Sequence, residues 1–485
     1  MNKPIRRVSI FCLVLILALM VRTNWVQGVQ ADSLASNTHN DRNKYDRYAY
    51  PRGNIIVDGE RVTSSDFVDG LRYKYKRSWV NGPLYAPVTG YSSQSFGSSQ
   101  LESLEDGFLA GTDDRLFFRN TLDMLTGKEK QGGDVVTTIN AKAQKAAFEG
   151  LGNKKGAVVA LDPATGAILA LVSTPSYDPG TFAGGGDADT KAWTDLNADA
   201  NKPMLNRALR ETYPPGSTFK LVTAAAAFEN NVFQNIDDKT ETPDPYTLPG
   251  TTTELKNESA NEPCEGATLK VGMDFSCNTV YGKIGADLGR DKMREQAEKF
   301  GFNTTVDTPI RAVQSFYPKG SSPDGTALDA IGQHDTRATP LQMAMVASAI
   351  ANNGSLMQPY LVAQERSANL TTISQHSAKQ LGQAISPATA QKLQDMMVSV
   401  VQNGTGKNAQ IPGTTVGGKT GTAQHGEGNN GLPFAWFVSY AKGADNKSVA
   451  VAVVVEDGSN NRDGISGGRL AAPIAKAVMQ ATLTK

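Results

Sequence analysis

Residues 213–220 have the sequence YPPGSTFK, and the apolar run LVTAAAAF follows directly at 221–228. The prolines and the glycine end the preceding segment, so a helix is predicted to begin here with Ser217 in its first turn. Backbone N–H groups in that turn have no partner within the helix. Lys220 lies three positions after Ser217 and on the same face, where an amine can take the hydroxyl proton. A capping serine followed by a solvent-exposed lysine is the alternative interpretation.

Two further short patterns follow along the chain. Ser276-Cys277-Asn278 has the form S-x-N, which also occurs elsewhere in the sequence and carries little weight alone. Residues 417–422, GGKTGT, contain the single K-[S/T]-G triplet of the chain, after an apolar residue and before a predicted strand at 434–440. A glycine-rich hairpin with an exposed lysine is the alternative for this segment. Each pattern is therefore a candidate site only in combination with the others.

The composition excludes several classes of function. The 485 residues include 48 Lys and Arg against 48 Asp and Glu, so the formal net charge is zero. This balance argues against a nucleic-acid-binding protein that uses a broad basic face. Three cysteines and four histidines are too few and too dispersed for a zinc or iron–sulfur site, so we expect no metal and no cofactor. With 39% apolar residues the chain can bury a sizeable core.

The N-terminus predicts membrane attachment. Three basic side chains within the first seven residues precede the apolar run 8–21, which is typical of a secretory signal or a signal-anchor. This run of fourteen residues, apolar except for Ser9, is short for a membrane span of about 20, but it can extend to Val26. We predict an uncleaved single-pass anchor within residues 1–30 and an extracytoplasmic location for the rest. Cleavage near Ala31 is the alternative.

Export also decides how the cysteines are interpreted. Cys264 and Cys277 form an even pair, 13 positions apart, in an oxidising compartment. A disulfide between them is predicted, with two free buried thiols as the alternative. Cys12 lies in the apolar N-terminal run and is expected to be an unreactive small hydrophobic residue.

The apolar periodicity predicts an α/β (α+β) fold in which a mainly antiparallel sheet is flanked by helices. Two strands at 156–162 and 167–173 surround a turn, and strands return near the C-terminus. One sheet is therefore expected to be assembled from both ends of the domain. We predict a smaller, mixed, non-catalytic N-terminal domain at 31–151 and a catalytic domain at 152–485. The remaining predicted elements are helices at 217–228, 282–300, 339–352, 387–401 and 471–483 and strands at 414–416, 434–440 and 448–456.

Taken together, S-x-x-K, S-x-N and K-T-G in this order are the combination found in penicillin-binding proteins and serine β-lactamases. The chain resembles a class B penicillin-binding protein, and within that class the actinobacterial penicillin-binding protein A group. The resemblance covers roughly residues 45–485 and implies the penicillin-binding transpeptidase fold with a helical subdomain. His334 departs from it, because many relatives have glycine there. Further matching segments are Pro51–Ile55, Asn206–Ala208, Gly332–Gln333, Thr339–Ala344 and Ala435–Phe437.

The resemblance implies a D,D-transpeptidase that acts on peptidoglycan stem peptides and is acylated by β-lactams. Ser217 would be the nucleophile and Lys220 its base, with the lysine pKa lowered by burial and by the nearby cation Lys419. Ser276 would relay a proton to the leaving group. The backbone N–H groups of Ser217 and Thr422 would form the oxyanion hole.

The resemblance also implies which residues bind the substrate. Asn278 would hold the substrate amide, while Lys419 and Thr420 would hold the terminal carboxylate through charge-assisted hydrogen bonds. Gly421 and Thr422 complete this substrate-binding strand.

Several alternatives stay open at this point. A β-lactamase would need a second glutamate motif, Glu-x-x-Leu-Asn, which the sequence between the second and third motifs lacks. A D,D-carboxypeptidase differs only in its acceptor, and a non-catalytic scaffold of the cell-wall machinery would keep the fold without turnover. The region 31–151 is expected to be a pedestal or dimerisation-like domain, or else a docking surface for a glycan-polymerising partner.

Overall fold

The computed structural model places an N-terminal helix before two five-stranded sheets and their surrounding helices. The predicted mixed fold with a mainly antiparallel sheet is confirmed. The residues that the structure describes are 3–35, 37, 45, 47–69, 73–116, 126–127, 130–259, 261–445, 447–456 and 462–484.

The strands, β1 to β18 in chain order, are Ile55–Val57, Glu60–Arg61, Thr63–Phe67, Tyr75–Trp79, Ser92–Ser93, Gly97–Ser98, Asp134–Thr137, Gly156–Leu161, Ile168–Thr174, Tyr246–Thr247, Glu254–Leu255, Ser355–Met357, Val362–Arg366, Thr372–Gln375, Gln380–Gln383, Thr415–Ala423, Phe434–Lys442 and Ser448–Val455. The helices, α1 to α16, are Lys3–Gly28, Ala31–Ala35, Gly82–Thr89, Gln100–Leu104, Asp106–Leu109, Ala141–Leu151, Asp187–Ala198, Arg207–Arg210, Lys220–Glu229, Leu269–Asp274, Asn278–Leu288, Arg290–Lys299, Pro323–Asp329, Pro340–Ala351, Pro387–Gln402 and Ala472–Leu483.

The N-terminal apolar run forms α1, a helix of 26 residues. The helix is long and apolar enough to cross a membrane, and none of its residues is buried against the protein. At 1.5 Å per residue it exceeds the roughly 30 Å thickness of the hydrocarbon core. The helix therefore fits a single-pass membrane anchor.

The central sheet has the strand order β16-β17-β18-β8-β9, and every neighbouring pair in it is antiparallel. It confirms the predicted assembly from both ends of the domain. Alternate residues of β8 enter two separate apolar clusters: Val159 faces the cluster that contains α14, and Val158 faces the cluster that contains α6 and α16. Because both faces are covered by helices, β18 is an almost continuous run of buried valines and alanines.

Side-chain caps begin several of the predicted helices. The Thr339 hydroxyl accepts the Gln342 N–H at the start of α14, and the Ser386 hydroxyl accepts the Thr389 N–H at the start of α15. A proline occupies the first position of both helices, where its missing N–H costs nothing. These two helices lie within one residue of their predicted bounds.

The helix predicted at 282–300 was wrong in its bounds, because the structure has two helices, α11 and α12. They are separated by Gly289, whose φ of 79° is a left-handed conformation that ends α11. The first of them also starts four residues earlier, at Asn278, because the side-chain oxygen of Asn257 accepts the N–H groups of Asn278 and Thr279 at 2.7 and 3.2 Å. A cap from a distant loop leaves no local pattern in the sequence.

The second sheet has the order β14-β13-β7-β1-β2, and its strands come from distant parts of the chain. Strand β1 pairs with β7 in parallel, and β13 pairs with β7 in antiparallel orientation, with Glu365 opposite Val135. The predicted N-terminal region of residues 31–151 therefore shares its sheet with two strands from the region 152–485.

A buried ion-pair network holds the N-terminal region together. The Glu102 carboxylate is fully buried and accepts hydrogen bonds from Arg52 Nε at 2.7 Å and from Arg77 Nε at 2.6 Å. Burial alone would raise the pKa of Glu102, but Arg77 and Arg52 outweigh it and the pKa is lowered. Both guanidinium groups therefore share this one carboxylate, and Arg52 also forms an ion pair with Asp106 at 2.7 Å.

Candidate active site

Ser217 lies in a single 3₁₀ turn, Gly216–Phe219, that leads into α9. Gly216 has a φ of 54°, and its N–H donates to the Gly332 carbonyl at 2.9 Å. The Thr218 hydroxyl donates to the Pro215 carbonyl at 2.7 Å, which fixes the turn from within. The serine itself is 6% exposed. The structure thus places Ser217 at the beginning of the predicted helix, in a turn that is tied down on both sides.

Lys220 joins the first two motifs. Its side chain is fully buried, and Nζ donates to Asn278 Oδ1 at 2.8 Å, to Ser276 Oγ at 3.3 Å and to the Ser276 carbonyl. Residues 217–220 and 276–278 are far apart in the sequence, so only the fold brings these groups together. The amine is therefore inside the site, and the alternative of a solvent-exposed lysine is wrong.

The same burial changes the basicity of the Lys220 amine. Its pKa is lowered well below the usual lysine value, first by burial and second by the positive charge of Lys419. The predicted influence of the second lysine is confirmed. A lowered pKa increases the fraction of Lys220 that is present as the free amine, and the free amine can accept a proton.

The third motif lies along β16, which is longer than the strand predicted at 414–416. Cβ atoms built on Gly417 and Gly418 would lie 2.4 Å from the rings of Tyr440 and Phe437, respectively. These glycines are required because aromatic rings of β17 cover the strand. The strand therefore continues through the K-T-G motif to Ala423.

Lys419 and Thr420 occupy adjacent positions on β16 and have different surroundings. Lys419 Nζ is buried and donates to the Thr420 carbonyl at 3.1 Å. Burial lowers the pKa of Lys419 to about 8, although the carboxylates of Glu258, Asp274 and Glu262 oppose the shift. The Thr420 hydroxyl forms a 2.6 Å hydrogen bond with the Thr405 hydroxyl.

A polar cleft of about 230 Å³ brings the second and third motifs together. Ser276 lines it with Thr420, Gly421 and Thr422, so the S-x-N turn and the K-T-G strand form facing walls. The complete lining is Glu258, Ser276, Thr405, Asn408, Thr420, Gly421, Thr422, Ser466, Gly467, Gly468 and Arg469.

The turn that carries Ser217 packs closely against the same strand. A Cβ on Gly421 would lie 3.1 Å from the Pro215 carbonyl oxygen, and a Cβ on Gly216 would lie 3.0 Å from Cβ of Ala423. The backbones that carry the N–H groups of Ser217 and Thr422 are therefore adjacent. Their joint action as an oxyanion hole stays a prediction.

The S-x-N turn is fixed by a disulfide. Cys264 and Cys277 are bonded, with their Cα atoms 5.6 Å apart, and both are fully buried. The predicted disulfide is therefore present, and the alternative of two free thiols is wrong. Cys277 directly precedes α11, and Ser276 has a φ of 63°, a left-handed conformation that is uncommon for serine.

Sequence reasoning assigned no positioning role to several residues that hold the site in place. The Glu456 carboxylate accepts hydrogen bonds from the Tyr213 hydroxyl at 2.7 Å and from Arg207 Nε at 2.9 Å. Trp436 Nε1 donates to the Pro214 carbonyl at 3.1 Å. These contacts attach the segment before Ser217 to the central sheet, and their partners are too distant in sequence to give a spacing signal.

Metal chemistry has no candidate ligand set in the described segments. No group of three or more His, Cys, Asp or Glu side chains there is close enough to hold a metal ion. That the protein works without a metal or cofactor stays a prediction.

Comparison with known proteins gives two family matches. The model of the penicillin-binding protein transpeptidase domain matches residues 156–480, and the model of the penicillin-binding protein A dimerisation domain matches residues 52–135. The peptidoglycan D,D-transpeptidase PbpA of Mycolicibacterium smegmatis is 41% identical over 100% of this chain and 99% of its own length. The protein of the same name from Mycobacterium tuberculosis is 40% identical with the same coverage.

Solved structures agree with the sequence matches. A ceftriaxone acyl-enzyme complex of penicillin-binding protein A from M. tuberculosis superposes with a TM-score of 0.86 and 39% identity, over 91% of this chain and 100% of that one. Since the transpeptidase model spans about two thirds of the chain and a relative aligns along its full length at 41% identity, the chain belongs to the penicillin-binding protein transpeptidase family.

Proposed function

We propose that this protein is a peptidoglycan D,D-transpeptidase that cross-links stem peptides through an acyl-enzyme on Ser217. The observation that carries the proposal is the buried Lys220 amine, which contacts both Ser276 and Asn278 and has a strongly lowered pKa. Relatives that align along the whole chain are named peptidoglycan D,D-transpeptidases, which supports the same reaction.

The proposed acylation step assigns a role to each of these groups. Lys220 takes the hydroxyl proton as Ser217 Oγ attacks the carbonyl carbon of the penultimate D-alanine. The N–H groups of Ser217 and Thr422 stabilise the oxyanion, and removal of one such donor costs about 3–4 kcal/mol elsewhere. The C–N bond then breaks, and the proton returns through Ser276 to the departing D-alanine amine.

Substrate recognition is assigned to the strand wall and to α11. Lys419 and the Thr420 hydroxyl hold the terminal carboxylate of the donor peptide, with Gly421 and Thr422 lining the same strand. The Asn278 amide, which begins α11, holds the substrate amide on the opposite side. In the second step an amine of another stem peptide attacks the ester and releases Ser217.

A β-lactam tests the proposal because its acyl-enzyme lasts long enough to be detected by mass spectrometry. Intact-protein mass spectrometry after exposure to penicillin should show one covalent adduct, and peptide mapping should place it on Ser217. The matched control is Ser217→Ala, which should show no adduct. An adduct on another residue, or unchanged labelling of the variant, would refute the assignment.

The carboxypeptidase and scaffold alternatives predict different products. A D,D-carboxypeptidase would pass the acyl group to water only, and a scaffold would form no acyl-enzyme. Product analysis with a donor peptide and an amine acceptor separates the three, because only a transpeptidase yields the cross-linked amide.

The location is proposed on two features. Helix α1 acts as an uncleaved single-pass anchor, with the basic residues before it on the cytoplasmic side and the cleft outside. A buried disulfide beside the cleft supports an oxidising, extracytoplasmic compartment.

We assign residues 31–151 to a pedestal that raises the catalytic region 152–485 above the membrane. A glycan-polymerising enzyme that co-purifies with the protein, and is lost when these residues are replaced, would make this region a docking surface instead.

A further inference from the structure

One acidic side chain lines the cleft and has no assigned role. Glu258 lines the cleft with Ser276, Thr420 and Thr422. The residue before it, Asn257, accepts the N–H of Asn278, which places this loop beside the S-x-N motif. It is solvent-exposed, and its carboxylate forms no hydrogen bond or ion pair with any other described residue. A charged group in a catalytic cleft without a protein partner is available to a ligand.

The charges of the cleft are divided between its two walls. Glu258 acts electrostatically on both Lys220 and Lys419, so it lies near both amines. Arg469 lines the cleft beside Gly467 and Gly468, which belong with the K-T-G strand wall. Lys419 and Arg469 therefore make the strand wall positive, whereas the S-x-N wall combines the carboxylate of Glu258 with the Lys220 amine, whose pKa is lowered.

The two peptides joined by a transpeptidase match this division. The donor brings a carboxylate, which suits the positive wall. The acceptor brings a primary amine, which at neutral pH is an ammonium ion because such amines have pKa values of about 10. Resting on the function proposed above, we propose that Glu258 binds the ammonium group of the acceptor peptide beside the acyl-enzyme and so favours transfer to an amine over transfer to water.

The chemical step balances as follows. The acceptor ammonium bound at Glu258 becomes a neutral amine by releasing one proton to solvent. Solvent can take this proton because the Glu258 carboxylate is exposed. Its nitrogen forms a bond to the acyl carbon while the bond from that carbon to Ser217 Oγ breaks. One of the two remaining amine protons passes to Ser217 Oγ, through Lys220, and the other stays on the new amide. Hydrolysis follows the same route with water and needs no ammonium site.

The test measures how the acyl group of one acyl-enzyme is partitioned between transfer to an amine and transfer to water. The protein is acylated with a thioester donor that ends in D-alanine, and amide and acid products are counted with Nα-acetyl-lysine amide as the ammonium acceptor. In Glu258→Gln the amide-to-acid ratio should fall at least about threefold, the size expected for one exposed ion pair. Glu258→Asp should retain most of the ratio. Because the ratio is taken after acylation, a change in the acylation rate does not affect it.

Two controls make the result specific. Glu265→Gln changes another exposed carboxylate of the same loop that does not line the cleft, and it should leave the ratio unchanged. Hydroxylamine, an uncharged nucleophile at neutral pH, should give the same ratio with the wild-type protein and with Glu258→Gln. An unchanged ratio with the lysine acceptor, or an equal fall for both nucleophiles, would overturn the acceptor site while leaving the acyl-enzyme intact. Failure of the donor to acylate Ser217 would instead overturn the proposed function, and the acceptor site with it.

Discussion

Lys220 and Lys419 are both fully buried, although a lysine is almost never fully buried unless it is paired. Two positive charges close together in a poorly solvated interior repel each other, so holding both protons is costly. Lys220 has the more strongly lowered pKa, while the pKa of Lys419 is about 8. The lowered pKa of Lys220 therefore suits a base, while Lys419, with a pKa of about 8, holds a proton at neutral pH with which it can bind a carboxylate.

This division predicts the pH dependence of acylation. Because Lys220 must be neutral, the rate should rise with pH through its lowered pKa. Because Lys419 must be protonated, the rate should fall above about pH 8. Stopped-flow acylation by a chromogenic cephalosporin should give this bell-shaped profile.

The variant Lys419→Arg tests whether Lys419 causes the fall of the acylation rate at high pH. An arginine stays protonated at every pH of interest, so the fall near pH 8 should move to higher pH. An upper limb that stays in place would show that another group controls it.

Replacement of the base gives a second prediction at this scale. Lys220→Ala should retain the fold but be acylated at least about 100-fold more slowly, the usual range for loss of a general base. Mass-spectrometric time courses measure the rate, and the thermal midpoint shows whether the variant is folded. Acylation at the wild-type rate would remove Lys220 from the role of base.

At the scale of single residues, the sequence predicted the members of the motifs but not the groups that surround them. Ser217, Lys220 and Lys419 carry their own spacing and order. Asn257 and Glu258 do not, because they act through a loop that only the fold brings to the cleft. The contacts of these two residues depend on their positions in the folded protein, and a local sequence pattern carries no information about those positions.

Among the elements, the S-x-N turn depends on its disulfide. Cys277→Ser should lower the thermal midpoint, since closing a loop of about 15 residues is worth up to about 3 kcal/mol in the chain-entropy model. It should also slow acylation, because Ser276 is held in a left-handed conformation directly beside the bond. Calorimetry and acylation kinetics measure the two effects.

The matched control is Cys12→Ser, in the exposed helix α1, which should change neither quantity. If reduction of the disulfide leaves the acylation rate unchanged, the bond stabilises the protein but does not position Ser276.

The buried ion-pair network makes a separate prediction for the N-terminal region. Glu102→Ala leaves Arg77 buried without its carboxylate partner while Arg52 keeps Asp106, and loss of one partner of a buried ion pair typically costs about 3–5 kcal/mol. Urea unfolding should show this decrease. Asp195→Ala removes one partner of the exposed pair with Lys191 and should have little effect. Equal effects of the two variants would contradict the importance of burial.

Elements were predictable where apolar periodicity was strong and caps were local. Helices α14 and α15 have both properties, and their predicted bounds are nearly right. Strand β16 was predicted too short because its glycines suggested a turn, whereas they make room for the rings of Tyr440 and Phe437. The break between α11 and α12 required the conformation of Gly289, which composition does not reveal.

For the whole molecule, helix α1 determines where the enzyme works. The full chain should sediment with membranes, and deletion of residues 1–30 should give a soluble protein that is still acylated at Ser217, because the cleft contains no residue of that segment. Cell fractionation with fluorescent penicillin labelling measures both properties. If the full-length gene instead yields protein in the medium whose N-terminus lies near position 32, the segment is cleaved.

The pairing of β13 with β7 has a consequence for how the chain assembles. Strand β7 ends at Thr137 and β13 begins at Val362, about 225 positions later. A ribosome adds about 5–20 residues per second, so roughly 10 to 45 s pass before the missing strand is made. During that interval β7 has an uncovered edge, which can pair with other chains. We therefore expect incomplete copies of this protein to pair with one another more readily than those of a protein whose N-terminal sheet is complete from the start.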